Sequence, residues 1–244
     1  MMSEKKSKDS SSYSMSNKKL TFVEHLEELR SRIIKSVAFI ILTSLILYTL
    51  KDKMIAFMTR PVGSLVFIAP TEAFVSSIKI ALFAGLYASS PFIFYQIWQF
   101  ISAGLEKKEG RHVFFFGLFS FFFFLIGSLF GYFLIVPIGM KFLLGFTSSF
   151  LYPMISMAKY ISFVMMLSLA FGAVFQLPIV ILFLTKIGIV TPKFLAEKRK
   201  YAIVIIFIAG ALFTPPDVIT QCLMAIPLIF LYELSIFLSR LVRK

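Results

Sequence analysis

Long apolar runs occupy most of this sequence, and they restrict its fold more than any other feature. A helix of about 20 apolar residues crosses the hydrocarbon core of a bilayer, and no alternating segments typical of a membrane β-barrel stand out. Hydrophobic residues make up 59 % of the chain and charged residues 15 %, compared with about 45–50 % and about 25 % in soluble domains. We therefore predict an all-α, polytopic membrane protein with six transmembrane helices and no cofactor domain. The predicted spans are residues 33–50, 73–101, 112–136, 160–185, 201–213 and 219–238.

Two segments depart from this pattern of long apolar runs. The thirteen residues of the fifth span would form about 20 Å of helix, less than a hydrocarbon core of about 30 Å. Either the bilayer thins there or neighbouring helices shield the ends of this helix. Residues 1–19 are polar and rich in serine and lysine, so we predict a disordered cytoplasmic tail that lacks the apolar core of a secretory signal. Residues 20–244 then form one six-span membrane domain.

Basic residues are divided unequally between the two ends of the predicted spans. Nineteen of the 25 lysines and arginines lie in the N-terminal segment, in GLEKKEGRH, between residues 186 and 200, or at the C-terminus, and six lie at the opposite ends. Since basic residues accumulate on the cytoplasmic side, both termini are predicted to be cytoplasmic. The net charge of +13 then reflects topology and contact with anionic membrane lipid, and we expect no nucleic acid partner.

The two connections predicted on the outer side, residues 51–72 and 137–159, are long and largely apolar. Segments such as SLVFIA and FLYPMI are too hydrophobic for free loops, so we expect short interfacial helices or a cap over the outer face. Prolines that can bend these connections stand at Pro61, Pro70, Pro137 and Pro153.

The stretch FVEHLEELRSR stands immediately before the first span and has the chemistry of a helix start. Thr21 and Glu24 fit a capping box, in which each side chain satisfies a backbone amide. Apolar residues then recur at helical spacing, which predicts an amphipathic helix that lies at the cytoplasmic interface and runs into span one. Glu28 and Arg32 are one turn apart and suited to an i,i+4 ion pair. Capping explains Glu24, whereas the arginines near Glu28 either satisfy its carboxylate or position it.

Two other polar segments lie between spans. Glu106 and Glu109 belong to the turn GLEKKEGRH, which a solvated turn of mixed charge explains by default. This turn is predicted on the same side of the membrane as the opening helix, and spans one and two can bring the two together. At the outer end of span six, TPPDVITQ has Asp217 as an N-cap after a rigid proline turn. Gln221, one turn later, places an amide near the outer membrane boundary.

Polar side chains within the spans are sparse, namely Gln96, Gln99, Gln176 and Glu233. Gln176 lies near the middle of span four, just before Pro178. It either satisfies a backbone carbonyl that the proline frees or has a function, because buried polar groups are costly in a bilayer. Glu233 is close enough to the cytoplasmic end of span six to reach the interface or to pair with Arg240.

Enzyme motifs are missing from the sequence. It has no HExxH, GxSxG or P-loop motif, and His25 with Glu28 lacks the further ligands of a metal site. The single Cys222 excludes an intramolecular disulfide. We therefore expect no enzyme, no metal and no cofactor.

One class of function that these features suit is a small-solute or ion secondary transporter, because six spans and Gln176 beside Pro178 can line a cavity. It is the alternative to the function that the next segments indicate.

Five segments form a specific combination when they are taken together. They are FVEHLEELRSRI, FIFYQIWQFISAGLEKKEGR, GYFLIVP, SFVMMLSLAFGAVFQLP and LFTPPDVITQCLMAIPLIFLYELSIFLSR. In their order and spacing, over about residues 20–240, they resemble the TatC family of twin-arginine protein translocase receptors. The resemblance implies that the chain binds twin-arginine signal peptides of folded precursor proteins at the cytoplasmic face. It also implies a multi-pass location in the plasma (inner) membrane, partner subunits of the single-span TatA and/or TatB type, other TatC copies, and export driven by the proton-motive force.

The resemblance also assigns roles to individual residues. Glu28 in the HLEELR segment and Glu109 in the first cytoplasmic loop would contact the consecutive arginines of the signal peptide. Their neighbours in this site would be Arg30, Phe100 and Arg111. The polar intramembrane and partner-binding positions would be Gln176, Asp217, Gln221 and Pro61. Span five and the TPPD hairpin would belong to the partner-binding surface.

Two positions depart from the family pattern. Gly110 separates Glu109 from Arg111, so one basic residue of the usual loop is lost. Gln176 stands where the family often has a glutamate. An amide cannot exchange a proton, so Gln176 would act by hydrogen bonding to the signal peptide or to a partner helix.

Overall fold

The structure is a computed structural model that describes residues 22–63, 65–103, 113–145, 147, 153–213 and 218–242. The predicted tail at residues 1–19 lies outside these ranges. Within them the secondary structure is helical apart from one isolated bridge pair. The helices are α1 Phe22–Leu47, α2 Lys51–Thr59, α3 Pro70–Ala103, α4 Val113–Phe130, α5 Val136–Leu144, α6 Met157–Val174, α7 Leu177–Lys186, α8 Pro192–Glu197, α9 Arg199–Phe213 and α10 Val218–Val242.

Five stretches of the described chain are long and apolar enough to cross a membrane. These are Val23–Thr59, Pro70–Ala103, Phe114–Leu144, Met157–Lys186 and Thr220–Val242. The predicted fifth span corresponds to α9, whose 15 residues give about 22 Å of helix at 1.5 Å per residue. The all-α membrane class is thus confirmed, whereas the sixth crossing and the side of the termini stay predictions.

The helix ends gather at two faces of the bundle. One of them, here called the terminal face, contains the starts of α1 and α4 and the ends of α3, α7 and α10. Arg32 of α1 bonds to Gln96 of α3, and Thr185 of α7 lies 2.9 Å from the Ser239 hydroxyl of α10. The opposite face, here called the cap face, contains α2 and the segments on either side of Val66 and Ser156.

The cap face joins the two long connections to each other. Val66 N donates to Ile155 O at 3.0 Å, and Met157 N donates to Val66 O at 2.9 Å. The Tyr160 hydroxyl on α6 donates to Met58 O of α2 at 2.8 Å. The prediction of a short helix in the first connection is confirmed by α2. Main-chain hydrogen bonds between the connections explain why such apolar segments are not free loops.

Span three continues beyond its predicted end at residue 136. A π-helical turn, Gly131–Ile135, follows α4, and the helix then passes through Pro137 to Leu144. Proline lacks an amide hydrogen and crowds the preceding turn. A wider π turn changes the hydrogen-bond register just before the ring, so the helix continues as α5. The prediction that Pro137 begins an outer connection was therefore wrong.

Small residues let the long helices approach closely. A Cβ at Gly85 of α3 would lie 2.8 Å from the Ser44 backbone nitrogen of α1, and one at Gly127 of α4 would lie 2.6 Å from Phe171 O of α6. Such contacts replace the hydrophobic driving force, which is weak between helices in lipid. Around Phe171 and Val164, both fully buried, α6 forms the centre of the core.

Candidate functional site

Glu28 lies in the second turn of α1, where a guanidinium holds its carboxylate. Arg32 Nε donates to Glu28 Oε1 at 3.0 Å, and Arg32 Nη2 donates to the same oxygen. The side chains of Arg32 and Glu28 are 17 % and 22 % exposed. The predicted i,i+4 ion pair is confirmed, and its partial burial strengthens it relative to a fully solvated pair.

The same guanidinium reaches across to α3. Arg32 Nη1 donates to Gln96 Oε1 at 2.8 Å, and Gln96 is buried, with 8 % exposure. Gln96 is a polar side chain in an apolar helix, and a buried amide oxygen needs a donor. The requirement is satisfied by an arginine 64 residues away in the chain, which ties the start of α1 to the end of α3.

An aromatic contact also joins the start of α1 to the end of α3. His25 stacks on Phe100, with ring centroids 4.2 Å apart and planes 15° from parallel. His25 Nδ1 lies 3.9 Å from Glu28 Oε2. The structure therefore brings Glu28 and Phe100 together through His25, while Arg30 is exposed on the same helix.

Two predicted members of the site, Glu109 and Arg111, lie outside the described residues. The flanks of their segment both belong to the terminal face. Phe100 is one turn from the end of α3, and Trp98 stacks on Phe116 of α4 with ring centroids 5.2 Å apart. The segment that contains Glu109 thus connects two helices that contact each other through Trp98 and Phe116.

Gln176 occupies the break between α6 and α7, just before Pro178. Its Nε2 donates to Gly172 O at 3.4 Å and to Ser120 O of α4 at 3.1 Å. The backbone amide of Gln176 bonds to Ala173 O at 3.0 Å instead of continuing the α-helical pattern, which leaves Gly172 O for the side chain. Pro178 frees the carbonyl of Val174, four residues earlier, so the Gln176 amide satisfies a different carbonyl of the same kink, and it also joins α6 to α4.

A cavity of about 420 Å³ lies between α2, α3, α4 and α6, and it bears on the transporter alternative. Its lining is almost entirely apolar and includes Phe57, Met58, Ile80 and Tyr132, with Lys53 as the charged side chain among the lining residues. Gln176 is not part of this lining. The transporter alternative rested on an amide that faces a cavity beside a helix kink. This cavity lacks that amide.

The other predicted positions that the structure describes belong to other helices and turns than Glu28. Gln221 of α10 donates through Nε2 to Phe207 O of α9 at 2.9 Å, so its amide joins the last two helices. Pro61 is partly buried in the turn after α2, on the cap face. Asp217 lies outside the described residues.

Glu233 has a different partner from the predicted one. Arg199, at the start of α9, places Nε 2.8 Å from Glu233 Oε1 and donates through Nη2 to Oε2 at 2.9 Å. Of the two alternatives for Glu233, the pairing with Arg240 was wrong. Residue 240 lies two turns along α10, whereas the start of α9 comes alongside Glu233 and presents a guanidinium fork that matches both carboxylate oxygens.

Sequence reasoning did not assign Gln96 or Glu72 to a site. The Glu72 carboxylate accepts from Ile68 N at 2.8 Å, from Ala158 N at 2.9 Å and from the Ser156 hydroxyl. Glu72 follows Pro70 in the first turn of α3, where an acid suits the helix N-terminus. That pattern indicates a helix start but not the distant residues that the acid contacts. For Gln96, the available signal was its position in an apolar span.

Comparison with known proteins shows the family to which this chain is similar. A model of the family described as Sec-independent protein translocase protein (TatC) matches residues 24–227. A protein of that name from Desulforapulum autotrophicum is 42 % identical over 238 residues, which cover 95 % of this chain and 88 % of the relative. One from Aquifex aeolicus is 44 % identical over 235 residues, which cover 92 % of this chain and 97 % of the relative.

Solved structures agree with the sequence relatives. A crystal structure described as the twin arginine translocase receptor TatC is similar to this chain with a TM-score of 0.82 and 42 % identity. The match covers 90 % of this chain and the whole of that chain. The fold of this chain is therefore similar to that of the solved structure.

Proposed function

The chain belongs to the TatC family of Sec-independent protein translocase proteins, and on that premise we propose that it is the signal-peptide receptor of a twin-arginine translocase. The receptor lies in the inner membrane with six spans and both termini in the cytoplasm. Its terminal face then meets precursor proteins before export. It acts by binding and not by catalysis, and the proton-motive force drives the passage that it helps to organise.

One observation carries this proposal, namely that the Glu28 carboxylate binds a guanidinium in the structure. Two nitrogens of Arg32 bond to Glu28 in a partly buried setting. Arginine forms directional, charge-assisted hydrogen bonds to carboxylates. Chemistry that accepts an internal arginine at this position suits an arginine supplied by a signal peptide.

Glu109 is the proposed second acid, for the second of two consecutive arginines. It belongs to the segment that links α3 to α4, and both helices contribute to the terminal face. Phe100 and the exposed Arg30 border the site, with Arg111 next to Glu109. The nineteen basic residues assigned to the cytoplasmic side would repel a basic ligand. The two carboxylates provide a local region of negative charge that attracts it.

Partner subunits are proposed to bind elsewhere on the molecule. The apolar side chains of α9 are exposed, among them Val204, Ile205 and Leu212, which suits contact with a single apolar helix of the TatA or TatB type. Gln221 and the hairpin with Asp217 extend this surface, and Gln176 and Pro61 are further partner positions. Other TatC copies and membrane lipid complete the surroundings.

Site-specific photocrosslinking tests the receptor role. A photoreactive amino acid is placed next to one of the two acids, at position 31 or 110 of the full-length protein in membrane vesicles, so that both carboxylates stay in place. Each variant is then mixed with a precursor that carries two arginines in its signal or with the same precursor carrying two lysines. We expect crosslinks from both positions to the arginine form and a large reduction with the lysine form. Equal crosslinking to both forms, or crosslinking from neither position, contradicts the proposal.

A further inference from the structure

Arg32 has a contact pattern that the receptor role does not by itself require. Its guanidinium uses Nε and Nη2 for Glu28 and Nη1 for Gln96. We propose that Arg32 is an internal competitor for the Glu28 carboxylate and thereby a determinant of selectivity for arginine over lysine in the ligand. This inference rests on the proposed function, because it concerns the same carboxylate.

The geometry makes Arg32 a competitor for this carboxylate. Both its bonds to Glu28 go to Oε1, while His25 Nδ1 lies 3.9 Å from Oε2. An incoming guanidinium that binds Glu28 must displace Arg32 from Oε1 or lie beside its positive charge. Gln96 raises the cost of displacement, because its buried oxygen loses a donor when Arg32 moves.

Competition of this kind discriminates between arginine and lysine. A guanidinium can replace another guanidinium with a matching pair of hydrogen bonds, whereas an ammonium is a point charge that lacks the planar fork. A lysine ligand therefore forms weaker hydrogen bonds to Glu28 than the ones that Arg32 loses when it is displaced. Without the internal arginine, an unpaired Glu28 would attract either cation, and selectivity would fall as affinity rises.

The test measures peptide binding to the full-length protein in lipid nanodiscs. The probes are a fluorescent synthetic signal peptide with two consecutive arginines and the same peptide with two lysines, read by anisotropy. For Arg32→Gln we expect the arginine peptide to bind about tenfold tighter, which is the scale of one charge-assisted competitor. We expect the lysine peptide to gain more, so that the ratio of the two affinities falls at least about threefold.

A matched control separates competition from a general change in charge. Lys35→Gln removes one positive charge from an exposed position on the same helix, and both peptides should respond equally, by less than about twofold. In the double variant Glu28→Gln with Arg32→Gln, the gain of Arg32→Gln should vanish. An unchanged ratio, or weaker arginine-peptide binding by folded Arg32→Gln, overturns the inference.

A second variant decides the matter if Arg32→Gln does not fold. Gln96→Leu keeps Arg32 but removes its bond to α3, so we expect a smaller tightening of about threefold. No tightening in this variant overturns the inference. A wild-type protein that binds both peptides equally contradicts the proposed receptor function itself. A wild-type protein that prefers the arginine peptide, with variants that do not tighten, contradicts the role of Arg32 alone.

Discussion

Two carboxylates, Glu28 on the terminal face and Glu72 on the cap face, are held in different ways. Glu72 accepts from two main-chain amides, of Ile68 and Ala158, and from the hydroxyl of Ser156. Glu28 is bound by the side chain of Arg32. Main-chain donors in a folded segment cannot leave without local unfolding, whereas a side chain can change rotamer.

This difference separates a structural acid from an exchangeable one. Glu72 joins the start of α3 to the start of α6, so its bonds secure the two connections of the cap face. The long side chain of Arg32 has several rotatable bonds, so its contact with Glu28 can be exchanged for a ligand without unfolding the helix. We infer that carboxylate availability depends on which groups donate to it and not on exposure alone.

Glu72→Ala should have the largest effect on stability among the variants discussed in this section. It removes the acceptor of three hydrogen bonds. One of these joins Glu72 to Ser156, which is 84 residues away in the chain. We expect a lower melting temperature in detergent and hydrogen exchange at the Val66 and Met157 amides at least about tenfold faster. Arginine-peptide binding should stay within about twofold of wild type. Unchanged exchange at both amides would show that Glu72 does not secure the cap face.

Glu28→Ala should have the converse effect, with a large loss of binding and little loss of stability. We expect affinity for the arginine peptide to fall at least about thirtyfold, because a charge-assisted contact is lost. The matched control is Glu27→Ala, which removes the same charge from an exposed neighbouring position. Peptide anisotropy and membrane insertion are measured for both variants. An equal loss of affinity in the two would assign the effect to net charge.

Ser156→Ala should reproduce part of the Glu72 effect. The hydroxyl donates to Glu72 and also accepts from Lys159 N at 3.4 Å as the N-cap of α6. Its loss should lower the free energy of unfolding by about 1–2 kcal/mol. Reversible unfolding in mixed micelles measures this value. If Glu72→Ala lowers the free energy of unfolding by no more than Ser156→Ala does, the main-chain donors to Glu72 contribute little.

The pair of Arg199 and Glu233 should have the smallest effect. Both side chains are nearly half exposed, at 45 % and 46 %, and solvent screens such pairs. A double-mutant cycle with alanine at both positions should give a coupling energy of about 0.2–1 kcal/mol. A much larger coupling would mean that this pair, like Glu72, secures the position of a helix.

Much of the fold could be predicted from local patterns. The apolar runs correspond to helices, the short fifth run is the short helix α9, and the kink at Gln176 occurs where Pro178 indicates it. The end of span three could not be predicted in this way. Whether a proline ends a helix depends on whether the preceding turn can widen, and Gly131–Ile135 does so against the buried surface of α6.

The candidate site was predictable only in part. The pairing of Glu28 with Arg32 follows from helical spacing, since the two residues are one turn apart. Phe100 and Glu109 were assigned through family resemblance, and Gln96 was noted only as a polar residue in a span. The contact between Gln96 and Arg32 depends on how far α1 and α3 slide past each other, and Ser44 and Gly85 set that packing.

The sequence by itself determined that this chain is helical and membrane-embedded, and that a few acids stand among many basic residues. These are local properties, because apolar length and spacing act within one helix. Only the tertiary structure decided that the Arg32 paired with Glu28 is anchored on α3, that Glu72 binds the main-chain amide of Ala158, 86 residues distant, and that Glu233 contacts an arginine of the preceding helix. Hydrogen bonds require specific atoms within about 3 Å, and the packing of distant helices sets those distances.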